Sequence, residues 1–451
     1  MWAWIADVRQ HIGVVVWMAA TCITGGCGGP GTSRSAGGDD GGSSLDADAA
    51  ATTGGDGAAH DAAGLVDGAG HDAASNPVYP AFTPFIGQIA TGGGAVLSAP
   101  VIVAVTWADD DPGAVATIDA FADGVGPSNY WSTALSEYGV GAATCGPTNH
   151  VHVASNGPAQ MSVGDIQAFI SGNAGSILPA ATGETIYALF LSPHTGLVFN
   201  GADACSAGVG GYHYETVVNG TRVPYAVVPR CAGHSVTAGM SHELAEAATD
   251  PFASSGPAWN GFGDPYMAWD LFQGFSVGAE VGDACEFFQD SWYTDNLPPQ
   301  ADVQRLWSNK SAAAGHAPCV PAAPGAYFNV TALHPQDILI DLSEIGAPSA
   351  FQTKGYKAAV GQTISFQVGF YSDGPTNGPW TVTTSSGNPL HAPTTLVTAT
   401  VDPTKRMGIN GDTTTITATL NGVGPQKAAV LTLESTLGGT THYMPVLIGG
   451  E

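Results

Sequence analysis

"GMSHELAEAATDP", Gly239–Pro251, decides how this chain is read. It sets a His beside a Glu and places a second Glu four residues after the His. Ser235 upstream suits an N-cap. Asp250-Pro251 suits an end, because the residue before a proline is pushed out of the α region. Between them Ala, Met, Leu, Glu and His fit a helix of about three to four turns. His242 and Glu246 then share one face, one turn apart, with Glu243 beside them. In zinc hydrolases a His-Glu-x-x-His helix supplies two ligands at this spacing, and the Glu after the first His is the general base. Here Glu246 stands where that pattern has its second His. A carboxylate binds zinc, but its charge makes the metal's water less acidic. The third ligand is expected from "GAEVGDACEFF", residues 278–288, with Glu280 the first choice and Asp283 the second. One would bind the ion and the other would orient His242. The opposing reading is an ordinary solvated helix face beside an acidic loop.

Moving outward, the flanking sequence alternates strand and helix patterns. "APVIVAVTWA", Ala99–Ala108, and "ETIYALFLSPHTG" are apolar, β-branched runs of the kind that form buried strands. "HVHVA" alternates as a strand. "GAVATIDAFADGV" carries Val115, Ile118 and Phe121 at helical spacing, and "SNYWSTALSEYGVG" reads as a helix or turn packing aromatics. "MSVGDIQAFISGNAGSIL" opens on Ser162 as a cap. The expected fold is an α/β or α+β, metallopeptidase-like domain over residues 78–322. After the Pro/Ala/Gly stretch Pro321–Gly325 the texture changes. "KAAVGQTISFQVGFYS", "GPWTVTTSSG", "TTTITATLNG" and "AAVLTLEST" are Thr- and Val-rich alternating strands with no helix between them. They predict an all-β, Ig-like sandwich over 326–451 that folds on its own.

The segments "SHELAEAATDP", "AEVGDACE" and "VQRLWSN", with "VIVAVTW" and "YWSTALSEYGVG", resemble the phosphate-induced protein/EXORDIUM family and its bacterial relatives. The resemblance spans roughly Pro80 to Val320 and leaves out the N-terminal region and the C-terminal strands. It implies secretion and a metallopeptidase-like core. The plant members' association with cell-wall growth is not carried over.

Composition narrows the partners. The 38 acids outnumber the 11 bases, giving a formal charge of -27. Such a chain lacks the basic stripe that phosphate backbones need, which excludes nucleic acid, and anionic membrane surfaces repel it. A membrane is then reached only through a lipid anchor. Arg9 and the apolar run Ile12–Ala20 read as a signal segment over residues 1–27, too short to span a bilayer. "AATC" and "TGGC" loosely resemble a lipobox, which makes Cys22 or Cys27 the candidate for lipidation; cleavage by an ordinary signal peptidase is the alternative. Residues 28–77, rich in Gly, Ala, Asp and Ser, read as a disordered linker; its His60 and His71 lie among Asp residues and could bind metal weakly, but a solvated linker is the preferred reading. In an exported chain the remaining cysteines are disulfide candidates. The pairing taken is Cys205–Cys231 and Cys285–Cys319, each flanking a segment that carries the motif, with Cys145 left over.

Other candidates carry less. His150 and His152 share a face if "HVHV" is a strand and could chelate a metal, although packing explains such a pair equally well. His213 and His234 could line the cleft beside His242. Ser241 lacks the second Gly of a nucleophile elbow, and no phosphate-binding glycine loop with its Lys is present. Two functions stand. One is an exported or lipid-anchored zinc peptidase, with Glu243 as base, acting on a protein, a peptide or a cell-surface polymer. The other is a non-catalytic extracellular binding protein whose metal site is structural or degenerate.

Overall fold

The structure, a computed structural model, describes residues 78–233, 235–274, 279–297, 299–343 and 349–450, together with the backbone of 17–18. The rest of the signal segment and the linker, with Cys22, Cys27, His60 and His71, lie outside the described residues, as does His234.

The chain is a mixed α/β protein rich in strands. A central sheet uses β1 (Val101–Trp107), β2 (His150–Val153), β3 (Thr185–Phe190), β4 (Val209–Val218) and β5 (Thr221–Val228) in the order β2-β1-β3-β5-β4. β2, β1, β3 and β5 run parallel, and β4 turns back antiparallel to β5. Trp17–Met18 pairs with β4 beyond it. Parallel strands are covered on both faces, which is why β3 is buried at every position.

Alternation along β1 divides two cores. Ile102 and Ala104 face one side; Val103, Val105 and Trp107 face the other. The first side carries α1 (Pro112–Val125), α2 (Asn129–Leu135) and α4 (Val236–Thr249); the second carries α3 (Val163–Asn173). Asp111 caps α1, and Ser162 with Asp165 forms a capping box on α3. Val115, read as apolar-face, is only half-buried; the face is set by Ile118, Phe121, Ala122 and Val125.

α4 begins after Ser235 and ends at Asp250, although the Ser235 side chain does not cap it. Residues Thr237–Thr249 are all buried. On one side Met240, Leu244, Ala247 and Ala248 join the sheet's core. Burial of side chains the size of Met240 and Leu244 contributes roughly 1.5–3 kcal/mol each. A second layer covers the other side of α4: the loop into α6 (Asp283–Glu286), and the hairpin β6 (Trp292–Asp295) with β7 (Ala301–Gln304); α5 (Met267–Gln273) backs α6 through Gln273, which donates to the Ala284 carbonyl. The solvated-face reading of this helix is therefore excluded; its polar side chains point into a closed layer.

Both expected disulfides are present. Cys205–Cys231 ties the segment before β4 to the segment before α4, and Cys285–Cys319 ties α6 to the strand Cys319–Val320. Cys145 is a free, half-buried thiol. The bonds fit an oxidising compartment. Among the described residues no helix is long and apolar enough to cross a membrane.

From Phe328 onward the described residues are built mainly of strands. One antiparallel sheet has the order β10-β13-β16-β15, using β10 (Phe328–Ala332), β13 (Thr363–Ser372), β16 (Thr413–Leu420) and β15 (Val397–Val401). A second uses β14 (Trp380–Asn388), β17 (Ala428–Leu437) and β18 (Thr440–Gly449). A separate pair is formed by β11 (Gln336–Ile340) and β12 (Phe351–Gly355). Trp380 is fully buried between the two sheets, with ring centroids 5.4 Å from Phe328 and 5.5 Å from Phe370.

These strands do not stand apart from the first half. The described residues from Val78 onward belong to one compact unit. Tyr443 lies against Phe272 and Phe288 at 6.2 and 6.0 Å between centroids. Asn388 donates to the Phe272 carbonyl at 2.8 Å, Phe85 N–H donates to Thr331 at 2.8 Å, and Phe82 packs onto Gly369. The expectation of independent folding rested on strand pattern, which says nothing about what covers the outer face of a sheet. A fragment beginning at Ala326 is accordingly expected to melt broadly and to bind a hydrophobic dye. A single sharp thermal transition without dye binding would show that the shared core is dispensable.

Candidate metal centre

Helix α4 presents His242, Glu243 and Glu246 to one buried space; their exposures are 0, 1 and 0%. The loop into α6 brings Glu280 and Asp283 to the same space. From the opposite wall β4 contributes His213, which alternation turns toward α4 while its neighbour Tyr212 faces the other core. Glycines permit the approach. A Cβ on Gly211 would lie 2.6 Å from Glu243 Oε1, and one on Gly282 would lie 2.7 Å from His242 Nδ1 and 2.8 Å from Glu246 Oε1.

The surrounding hydrogen bonds fix which atoms face inward. Gln304 Nε2 donates to the Gly282 carbonyl at 2.6 Å, so its Oε1 accepts from His242 Nδ1 at 2.8 Å. In a neutral imidazole this leaves the lone pair on Nε2. Nε2 faces Glu246 Oε2 at 3.1 Å and Asp283 Oδ1 at 3.7 Å. Glu246 Oε1 is held by the N–H groups of Gly282 (3.2 Å) and Asp283 (3.1 Å), so Oε2 is the oxygen turned inward. Glu280 Oε1 accepts from Asn260 Nδ2 at 2.8 Å, and its Oε2 faces His213 Nε2 at 3.4 Å. Asp283 Oδ2 accepts from Glu280 N at 3.3 Å. Each of these three carboxylates thus has one oxygen anchored and one directed at the centre, the arrangement of ligands oriented by outer partners.

Two trios of ligand atoms result: His242, Glu246 and Asp283, and His213, Glu246 and Glu280, each with its atoms within 4.8 Å of one another. Asp283 is thus the loop carboxylate beside His242, while Glu280, the first choice from sequence, stands on the His213 side. A tetrahedral ion with ligands at 2.0–2.2 Å holds its donor atoms about 3.3–3.6 Å apart. The 3.1 and 3.7 Å edges at His242 bracket that spacing.

The electrostatics call for positive charge here. Burial alone lowers an imidazole's pKa, but the facing carboxylates outweigh it, and both His213 and His242 are raised well above the ordinary value. Burial raises Glu243, Glu280 and Asp283, while the two imidazoles overcome burial at Glu246 and lower it. Glu246 Oε2, Glu243 Oε1 and Glu280 Oε2 are buried and make no hydrogen bond of acceptable geometry. A buried polar group left so is costly, and a cation between such atoms removes the cost.

Several members were not legible beforehand. Gln304 and Asn260 carry no signal by residue type, although Gln304 lies in the quoted "VQRLWSN". Glu286, 6% exposed and raised by burial, adds a further carboxyl behind Asp283. Elsewhere, His150 and His152 meet Asp119 and Asp123 of α1: His150 Nε2 lies 2.9 Å from Asp123, and His152 Nε2 lies 3.2 Å from Asp119. Asp123, Cys145 and His150 form a third trio, partly exposed. A cavity of about 230 Å³ at the junction with the C-terminal strands is lined by Trp269, Phe288, Tyr327, Asp373 and His442, and by none of the centre's carboxylates.

A Gly282→Ala variant should clash with the His242 ring and Glu246, at a cost of about 1–3 kcal/mol of overpacking. Metal affinity is expected to fall about 10–100-fold, as when a ligand loses its orienting partners. Zinc titration against a competing chelator dye would measure it; unchanged affinity would mean that the close approach of Gly282 is not needed.

No protein-family model matches the chain, and no curated protein matches it.

Proposed function

We propose that the chain is a metal-dependent hydrolase of an oxidising compartment outside the cytoplasm, exported or lipid-anchored, with peptide bonds as its substrate class. The observation that carries the reading is the convergence of His242 Nε2, Glu246 Oε2 and Asp283 Oδ1 from a helix and a disulfide-tethered loop, with Glu243 beside them. One imidazole and two carboxylates suit zinc, and three protein ligands leave a position for a reactant. When bound, the ion supplies Lewis acidity and makes water a better nucleophile at neutral pH. The protein's own residues do the rest. Gln304 holds the His242 tautomer. The Gly282 and Asp283 amides aim Glu246. Glu243, its carboxyl raised by burial and its Oε1 without a hydrogen bond, takes up a proton and returns it to the leaving group. The resemblance to the phosphate-induced protein/EXORDIUM family agrees with this reading and rests on the segments quoted for it.

Burial favours a second reading. His242, Glu243, Glu246 and Glu280 are at most 1% exposed, as in a closed structural site of a non-catalytic binding protein. Incubation of the zinc-loaded, full-length protein with unfolded casein, with and without chelator, tests the choice. Chelator-sensitive cleavage supports the hydrolase; tight metal binding without cleavage of casein or a peptide library supports the structural centre.

A further inference from the structure

The second trio has its own geometry. His213 on β4 is 1% exposed, and neither ring nitrogen makes a hydrogen bond of acceptable geometry. Nδ1 lies 3.3 Å from Glu246 Oε2, and Nε2 lies 3.4 Å from Glu280 Oε2. A neutral imidazole carries one N–H and one lone pair, so at most one of these two contacts can be a donor facing an acceptor. In a neutral ring the other contact sets a lone pair against a buried carboxylate oxygen; a metal cation between them relieves it, and in the metal-free centre a second proton on the ring does so instead. Both spacings match the donor separation of a tetrahedral ion with ligands near 2 Å.

Glu246 Oε2 connects the two trios, since it lies 3.1 Å from His242 Nε2 and 3.3 Å from His213 Nδ1. Its partner Oε1 is engaged by two backbone amides, so the same oxygen must serve both sides. Charge points the same way. Glu243, Glu246, Glu280 and Asp283 are four carboxylates in one buried space, and among the described residues their ion pairs lead only to His213 and His242. One divalent cation offsets two carboxylate charges and two offset four, in a space that also holds Glu286 behind Asp283. We infer that the centre is built for two divalent cations, one held by His242, Glu246 and Asp283 and the other by His213, Glu246 and Glu280, with Glu246 Oε2 bridging them. This rests on the reading of the first trio as a metal centre and extends it. Such two-metal sites set their ions about 3.5–4 Å apart and act on both the attacking and the leaving oxygen of a displacement.

The test is metal stoichiometry of the full-length protein loaded with Co²⁺ or Zn²⁺, freed of excess by dialysis and measured by mass spectrometry. Two equivalents are expected in wild type. One is expected in His213→Ala and in Glu280→Gln, the second of which keeps the side chain's shape should the first fail to fold. With Mn²⁺, the electron-paramagnetic signal of wild type should show spin coupling that Glu280→Gln abolishes. A single equivalent kept by both of these variants and lost in His242→Ala overturns the second ion and leaves the proposed hydrolase standing. A single equivalent lost from His213→Ala and His242→Ala alike means one shared ion and also overturns it. No bound metal in wild type overturns both readings.

Discussion

Replacing His242 by Ala is expected to abolish tight metal binding at its trio and, with it, the response of the protein's melting temperature to chelator. His242 is fully buried, its tautomer is held by Gln304, and among the described residues no other imidazole is paired with Asp283. A ligand that binds only the folded state stabilises it by about 4 kcal/mol when present at a thousandfold excess over its Kd. Wild type should therefore melt several degrees lower after chelator treatment and recover when zinc is restored. The variant should melt low in either condition. Losing a buried side chain destabilises by itself, so the diagnostic quantity is the zinc-dependent shift and not the absolute melting temperature. Scanning calorimetry with matched metal analysis reads both. A wild type indifferent to chelator and zinc would leave only two imidazolium–carboxylate clusters, and the metal centre would be abandoned.

Glu243→Gln separates chemistry from binding. The amide keeps the shape of the side chain in the space that Gly211 leaves for it, but it cannot accept a proton. Hydrolysis is expected to fall by about 10²–10⁴-fold, with zinc content unchanged because the inward ligand atoms belong to His242, Glu246 and Asp283. Turnover of a cleaved peptide by zinc-loaded wild type and variant checks it. Equal rates would remove Glu243 from the reaction, whereas loss of metal along with activity would make it a ligand.

The sequence carried the elements that obey local rules. The end of α4 follows from the Asp250-Pro251 step, whereas its start just after Ser235 comes without the expected side-chain cap; the buried strands β1 and β3 follow from unbroken β-branched runs. The Cys285–Cys319 pairing ties down the chain two residues after Asp283, directly behind the acidic loop. What the sequence did not carry depends on long-range juxtaposition. His213 stands 29 residues before His242 and reaches it only because β4 turns back along β5 at the sheet edge next to α4. On its strand it looks like an ordinary alternating residue. The division of labour between Glu280 and Asp283 is likewise invisible from spacing, since it is decided by Asn260 taking one oxygen of Glu280. Nor does amphipathic pattern reveal that a helix with so polar a face is buried on all sides; the covering layer comes from residues 279–297 and 299–307.

The continuity between the two halves also bears on heredity. A β-rich extension that merely trails a catalytic domain can be gained, lost or exchanged by recombination near the linker without touching its neighbour's folding. Here Tyr443 covers Phe272 of α5 and Phe288 just after α6, and Thr331 receives the amide of Phe85. A crossover at residues 321–325 would strip that cover from the recipient as well as the donor. The described residues from Val78 onward form one compact unit, so substitutions on β18 are expected to be constrained together with those on α5 as one surface.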